Sequence, residues 1–223
     1  MRIIESFVYT AENRRASRPA IEQLFSFDKR ELTARSLPTE LRATLATVGI
    51  SPAGAEPLEL DRPNAPGELF CWLYAKLAIA LQNRAGHRVA ACQTMVEQAA
   101  CGCRAIYEFE EEESGRAAGE LALRLLEKCL PDIDWTTIEG TATTPIAAKS
   151  LAQQLTEFID FALPRALPLD TRALIDAAYR AGIPWLKLDR PPFKRAPGDF
   201  RIRPNSPLKL GHGCHQHIVD GNF

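Results

Sequence analysis

The hydrophobic and polar positions fall into two blocks of short elements. RIIESFVYT, residues 2–10, is rich in β-branched and aromatic residues and predicts a first strand. Residues 18–25 read as a short amphipathic turn of helix, and 38–48 as a second helix behind Pro38. Pro52, Gly54, Pro57, Pro63 and Pro66 break any regular run, so 49–66 is read as loop. Residues 67–84, GELFCWLYAKLAIALQNR, form the most hydrophobic helix and end before Gly86. Leu69, Leu73, Leu77 and Leu81 recur there at helical spacing and predict a buried face. Two strands are predicted next, 88–97 and 103–110. In the second, Ile106, Glu108 and Glu110 alternate with Tyr107 and Phe109. Residues 114–130 complete the block as a helix with Ser114 as N-cap and Leu121, Leu125 and Leu126 as its core stripe. The expected architecture is α+β, a small sheet backed by helices, over residues 1–130.

Residues 131–147, PDIDWTTIEGTATTPIA, read as a linker. A second unit over 148–205 follows, with helices at 148–163 and 171–182 and a buried strand at Trp185–Leu188. A helix running through Ala-Gly-Ile-Pro into a strand marks an α/β unit. The stretch 206–223 contains three glycines and few apolar residues. It is expected to lack order of its own.

Composition narrows the function. The chain has 223 residues, 46% hydrophobic and 25% charged, so it can bury a core without metals or disulfides. A net charge of −1 gives no field for nucleic acid, which is not an expected partner. No apolar stretch approaches the ~18 residues of a membrane helix, and MRIIESFVYTAENRR does not read as a secretory signal. Most of the six cysteines sit inside apolar runs, as buried thiols do in a reducing cytoplasm, the expected location.

The densest polar feature is EFEEEESGR, residues 108–116. It fits a solvated helix start, where carboxylates favour the dipole. It also fits a patch for a guanidinium-rich ligand, because arginine and carboxylate pair bidentately. His212, Cys214, His215 and His217 have donor types and spacing compatible with zinc or copper. They equally fit a glycine-rich loop whose side chains never converge, and no metal is expected. Cys101-Gly-Cys103 is read as strand entry rather than as a ligand pair, and His87, behind a helix-ending Gly86, as a surface residue. No P-loop, dinucleotide fingerprint or nucleophile elbow is present, and no catalytic set can be assembled.

Two stretches resemble the cyanophycin synthetase family. LAIALQNRAGHRVA (77–90) and RAIYEFEEEESGRAAGELALRLL (104–126) are similar to the family's long helix, its Tyr-Glu-Tyr/Phe-Glu strand and its Gly-Arg-x-Ala-Gly helix start. ALIDAAYRAGIPWLKLD (173–189) and KLGHGCHQHI (209–218) look like its pre-ATP-grasp segment and its Leu-Gly-Tyr-Gly-Lys-Tyr-Gln motif. Gly115, Arg116, Gly119, Gly211, Gly213 and Gln216 fall on matching positions. The resemblance covers most of 66–223 and, more loosely, the first strand. It implies an N-domain followed by a small pre-ATP-grasp unit over 148–205, with 206–223 as the truncated start of an ATP-grasp core. In the family, the N-domain helps hold a poly-aspartate polymer carrying arginine, the ATP-grasp region adds aspartate and a later region adds arginine.

The implied ligand contacts are Glu108, Glu110, Glu111, Glu112, Glu113 and Arg116. Gly211, Gly213 and Gln216 form the implied nucleotide-proximal loop. Two departures qualify this. Where some family members carry His-x-x-Glu-His on the long helix, this chain has Trp72, Leu73, Tyr74, Ala75 and Lys76, so zinc-dependent trimming of polymer is not expected. In the second motif, His212 and His215 stand where the family has tyrosines and Cys214 where it has lysine. The expectation is a module without catalysis of its own that binds an Asp/Arg polymer or a full-length ligase, with homo-oligomerisation left open. The alternatives are one chain of a split ATP-dependent Asp/Arg ligase, or a domain reusing the fold for an unrelated interaction. ATP and Mg²⁺ enter only if an ATP-grasp core completes the site.

Overall fold

The computed structural model describes residues 2–10, 14–26, 66–97, 102–129, 150–188 and 207–219. They divide between two compact units, Met1–Ala162 and Leu163–Phe223. Both mix α and β structure, as the pattern predicted. No helix of the described residues is long and apolar enough to cross a membrane. The predicted helix 38–48 and linker 131–147 lie outside the described residues.

The first unit is built on an antiparallel sheet of β1 (Arg2–Tyr9), β2 (Ala20–Ser26), β3 (Cys92–Glu97) and β4 (Gly102–Glu108), in the order β1-β2-β4-β3. Helices α1 (Pro66–Arg84), α2 (Glu112–Cys129) and α3 (Leu151–Ala162) belong to the same unit. β2 corrects the helical turn expected at 18–25. Its apolar pair Ile21 and Phe25 stands four residues apart, and that spacing shares one face in a strand as well as in a helix. Pairing decides the matter, because β2 bonds to β1 on one side and β4 on the other. β3 begins at Cys92 rather than at 88.

Register sorts the sheet into two faces. Ile21, Phe25, Cys103, Ala105 and Tyr107 enter the core with the leucines of α1 and α2. All seven leucines predicted to be buried are buried, Leu81 and Leu126 completely. Each such side chain contributes about 1.5–3 kcal/mol by leaving water. Phe25 packs edge-on against Phe70 and Tyr74, and Tyr74 against Tyr107, with centroids 5.0–5.7 Å apart. These aromatics close the space between sheet and helices. Tyr74 Oη donates to Gln23 Oε1 at 2.5 Å and Tyr107 Oη donates to the Gly115 carbonyl at 3.2 Å. Gly119 faces both hydroxyls, and only the lack of a Cβ lets α2 lie this close.

α2 starts two residues before the predicted Ser114 cap. Glu111 supplies the capping carboxylate instead, accepting from the Glu113 and Ser114 amides at 3.1 and 2.8 Å. Ser114 is buried in the first turn and donates its hydroxyl to the same group. α3 packs its Leu155, Phe158 and Ala162 into the same core.

In the second unit α4 (Leu169–Arg180) closes on Gly182 at φ +64°. The Gly182 amide donates to the Tyr179 carbonyl, and the Ile183 amide to that of Ala178. That pair of bonds is a Schellman termination. Strands β5 (Trp185–Lys187), β6 (Leu208–Leu210) and β7 (His217–Val219) form an antiparallel sheet in that order. The expectation that 206–223 lacks order is corrected for residues 207–219. Leu208 pairs with Lys187 and Val219, and it is buried with Leu167 and Ile175. A few long-range contacts thus hold a segment that looks too polar on its own.

Candidate functional site

The acidic run at the β4–α2 junction follows the backbone into four different environments. Glu108 is buried on the sheet face away from α1. It accepts from Arg18 Nη1 at 3.1 Å and from the Ala90 and Ala91 amides at 2.9 Å each. Glu110 turns inward, and its carboxylate lies 3.2 Å from His87 Nδ1. Glu111 caps α2. Glu112 pairs with Arg116 one turn on, at 2.9 Å, with both side chains about half exposed. Glu113 is exposed. The structure therefore brings Glu112, Glu113 and Arg116 together at the surface and assigns Glu108, Glu110 and Glu111 to internal bonding.

His87 departs from its surface reading. It is 2% exposed, and its Nε2 lies 3.0 Å from the Ala162 carbonyl at the end of α3. The imidazole joins the helix start to a segment 75 residues further along the chain.

The sheet face away from α1 carries a network that sequence reading missed. Glu22 is completely buried, yet Arg15, Arg104 and the Tyr9 hydroxyl reach its carboxylate at 2.9, 2.5 and 2.9 Å. A buried carboxylate is costly unless it is paired in this way. Arg104 also donates to Glu97 and to Glu5. The hydrogen bond from Arg104 holds the Glu97 carboxyl below its ordinary range, and the same bond pushes the guanidinium up. Burial pushes the Tyr9 hydroxyl up, with the bond to Glu22 adding to it. No local pattern signals this group. Its members come from five segments that meet only through strand register.

The positions equivalent to the metal-hydrolase motif serve packing. Trp72 and Ala75 are buried, and Lys76 Nζ lies 5.9 Å above the Trp72 ring. Burial pushes the Cys71 thiol up, with neighbouring Cys103 adding to it. The second unit presents His212, Cys214, His215 and His217 as exposed side chains around a short 3₁₀ turn. Among the described residues, no group of three or more His, Cys, Asp or Glu could hold a metal ion. Gly211 has φ +76°, and a Cβ there would meet the His215 carbonyl at 2.4 Å, so this loop needs glycine. Gly213, at φ +61°, has open space, and Gln216 is exposed.

No family model matches the chain. Over 118 residues, 53% of its length, it is 26% identical to a cyanophycin synthetase from Crocosphaera subtropica. The matched stretch spans 11% of that protein, so the chain corresponds to a small part of it.

Proposed function

We propose that this chain is a cyanophycin-synthetase-related module, without catalysis of its own, that holds an Asp/Arg polymer for a ligase. The observation that carries the reading is the similarity over 118 residues to a cyanophycin synthetase. The surface that serves it is the start of α2, where Glu112 and Glu113 present carboxylates to guanidinium groups. Each exposed pair contributes only about 0–1 kcal/mol, so retention depends on many repeats along one polymer. ATP and Mg²⁺ belong to this reading only through an ATP-grasp core, supplied by a full-length ligase partner, with Gly211, Gly213 and Gln216 near its nucleotide. The free thiols of Cys71, Cys92, Cys103 and Cys214 suit a cytoplasmic setting.

The test is retention on insoluble cyanophycin, with poly-aspartate and poly-arginine as competitors. The protein should be retained, and it should be released as salt rises because exposed contacts are screened within about 8–10 Å. Changing Glu112 and Glu113 together to Gln should weaken retention while circular dichroism stays unchanged. Equal retention of the variant would remove this surface from the reading. No retention at all would remove the polymer.

A further inference from the structure

Among the described residues, β3 ends one side of the first unit's sheet and pairs with β4 alone. Its sequence, CQTMVE, holds no lysine, proline or register break, the devices that ordinarily blunt an open edge. β1, at the other side, has such a break between Ile3 and Glu5. We propose that β3 is a dimer interface, pairing antiparallel with β3 of a second copy of this chain about a two-fold axis at Gln93.

The backbone is the first argument. The Ala91 carbonyl accepts from the Glu108 amide, and the Ala91 amide donates to the Glu108 carboxylate, so residue 91 turns both groups toward β4. Strand alternation then turns the amides and carbonyls of Cys92, Thr94 and Val96 outward. An axis at Gln93 sets Cys92 of each copy opposite Thr94 of the other, which joins outward groups to outward groups.

Charge selects the register and the occupant. Lys76 on α1 reaches the Cys92 thiol, and Glu68, about two turns earlier on the helix, accepts from Thr94 Oγ1 at 3.4 Å. Both side chains are part-exposed. With the axis at Gln93, Lys76 of each copy meets Glu68 of the other. An axis at Thr94 would set Glu68 against Glu68, and one at Cys92 would set Lys76 against Lys76. An axis between two residues fails, because side chains directly opposite share a face and it would pair core-facing with outward-facing positions.

Apolar surface is the third argument. Met95 is 44% exposed and Val96 56%, on opposite faces of β3. The same axis lays them beside Ala91 and Ala90 of the second copy, both of them exposed. Large side chains meet small ones on both faces. The strand is thus its own complement, and the contact is small enough that association is weak. The inference does not rest on the polymer reading above.

The test uses the full chain. Sedimentation should show a dimer at about 100 µM that dissociates below about 1 µM. Lys76→Glu or Glu68→Lys alone should weaken association at least about tenfold, and the two together should restore it to within about threefold of the parent. The register is read by cross-linking in a Cys214→Ser background, which removes an exposed thiol. Gln93→Cys puts two thiols across the axis with Cα atoms ~4.5 Å apart, inside the disulfide range, so mild oxidation should give a covalent dimer. Met95→Cys holds its two thiols about 13 Å apart along the strands and should give none. Circular dichroism checks that each variant folds, and Gln93→Cys decides if the charge variants do not. A monomer at about 100 µM, cross-linking by Met95→Cys equal to that by Gln93→Cys, or association unweakened by both folded single charge variants overturns the proposal. That result would leave retention on cyanophycin, and the polymer reading, untouched.

Discussion

Gly119→Ala asks how tightly α2 is pressed onto the sheet. A Cβ at this position would lie 2.2 Å from Tyr107 Oη and 2.6 Å from Tyr74 Oη, whereas real Cβ atoms essentially never come within 3.0 Å of such neighbours. Neither oxygen can swing aside cheaply. Both tyrosines are fully buried, their rings pack edge to face, and their hydroxyls are engaged with Gln23 and Gly115. The helix must lift or a hydrogen bond must break. Overpacking of this kind costs about 1–3 kcal/mol, and the lost Tyr107 bond adds about 1. Alanine returns about 0.5–1 kcal/mol of helix propensity. The net expectation is a loss of about 2–3 kcal/mol, read as a fall of about 1 M in the urea midpoint followed by circular dichroism. Tyr107→Phe removes the nearer oxygen, so the double variant should lose less than the sum of the singles, with a coupling of at least about 1 kcal/mol. A Gly119→Ala protein as stable as the parent, or strictly additive variants, would refute the claim that this glycine sets the helix–sheet distance.

Two further outcomes follow from the buried polar groups. Arg104→Ala leaves Glu22 with Arg15 and Tyr9 alone and should cost about 3 kcal/mol in urea unfolding. A loss under about 1 kcal/mol would show that those two partners suffice. Burial pushes the Tyr74 and Tyr107 hydroxyls above the ordinary 10. The folded state then keeps protons that the unfolded chain releases, so their contribution is full below about pH 10 and is lost as pH rises through the folded values. Tyrosinate absorbance should show two of the four tyrosines ionising only as the protein unfolds; smooth titration of all four before unfolding contradicts it.

The helices of the first unit were legible because leucines at helical spacing report a one-sided burial that needs no knowledge of the partner. Leu69 through Leu81 and Leu121 through Leu125 behave in this way. β2 was not legible, since Ile21 and Phe25 satisfy two periodicities and only its neighbours choose between them. His87 was read from Gly86 beside it, but what covers it is the end of α3. The acidic run shows the same limit. Five glutamates of uniform chemistry are divided by the turn of the backbone into strand, cap and helix surface, and composition carries no trace of that division. Arg15, Arg18, Glu22 and Arg104 look like scattered surface charges until register places them together.

The strand order has a consequence for how the chain is made. Glu22 meets Arg104 across 82 residues of sequence. At a synthesis rate of about 5–20 residues per second, the carboxylate emerges roughly 4–16 s before its guanidinium. During that interval the side of β2 that will pair with β4 is an open edge, the kind of surface on which nascent chains stick to one another. Glu22 sits in the middle of that strand, and until Arg104 arrives it has only Arg15 and Tyr9 to offset its desolvation. The group that is costly to bury in the finished protein thus guards the growing one, acting as a charged gatekeeper until β4 arrives to cover it.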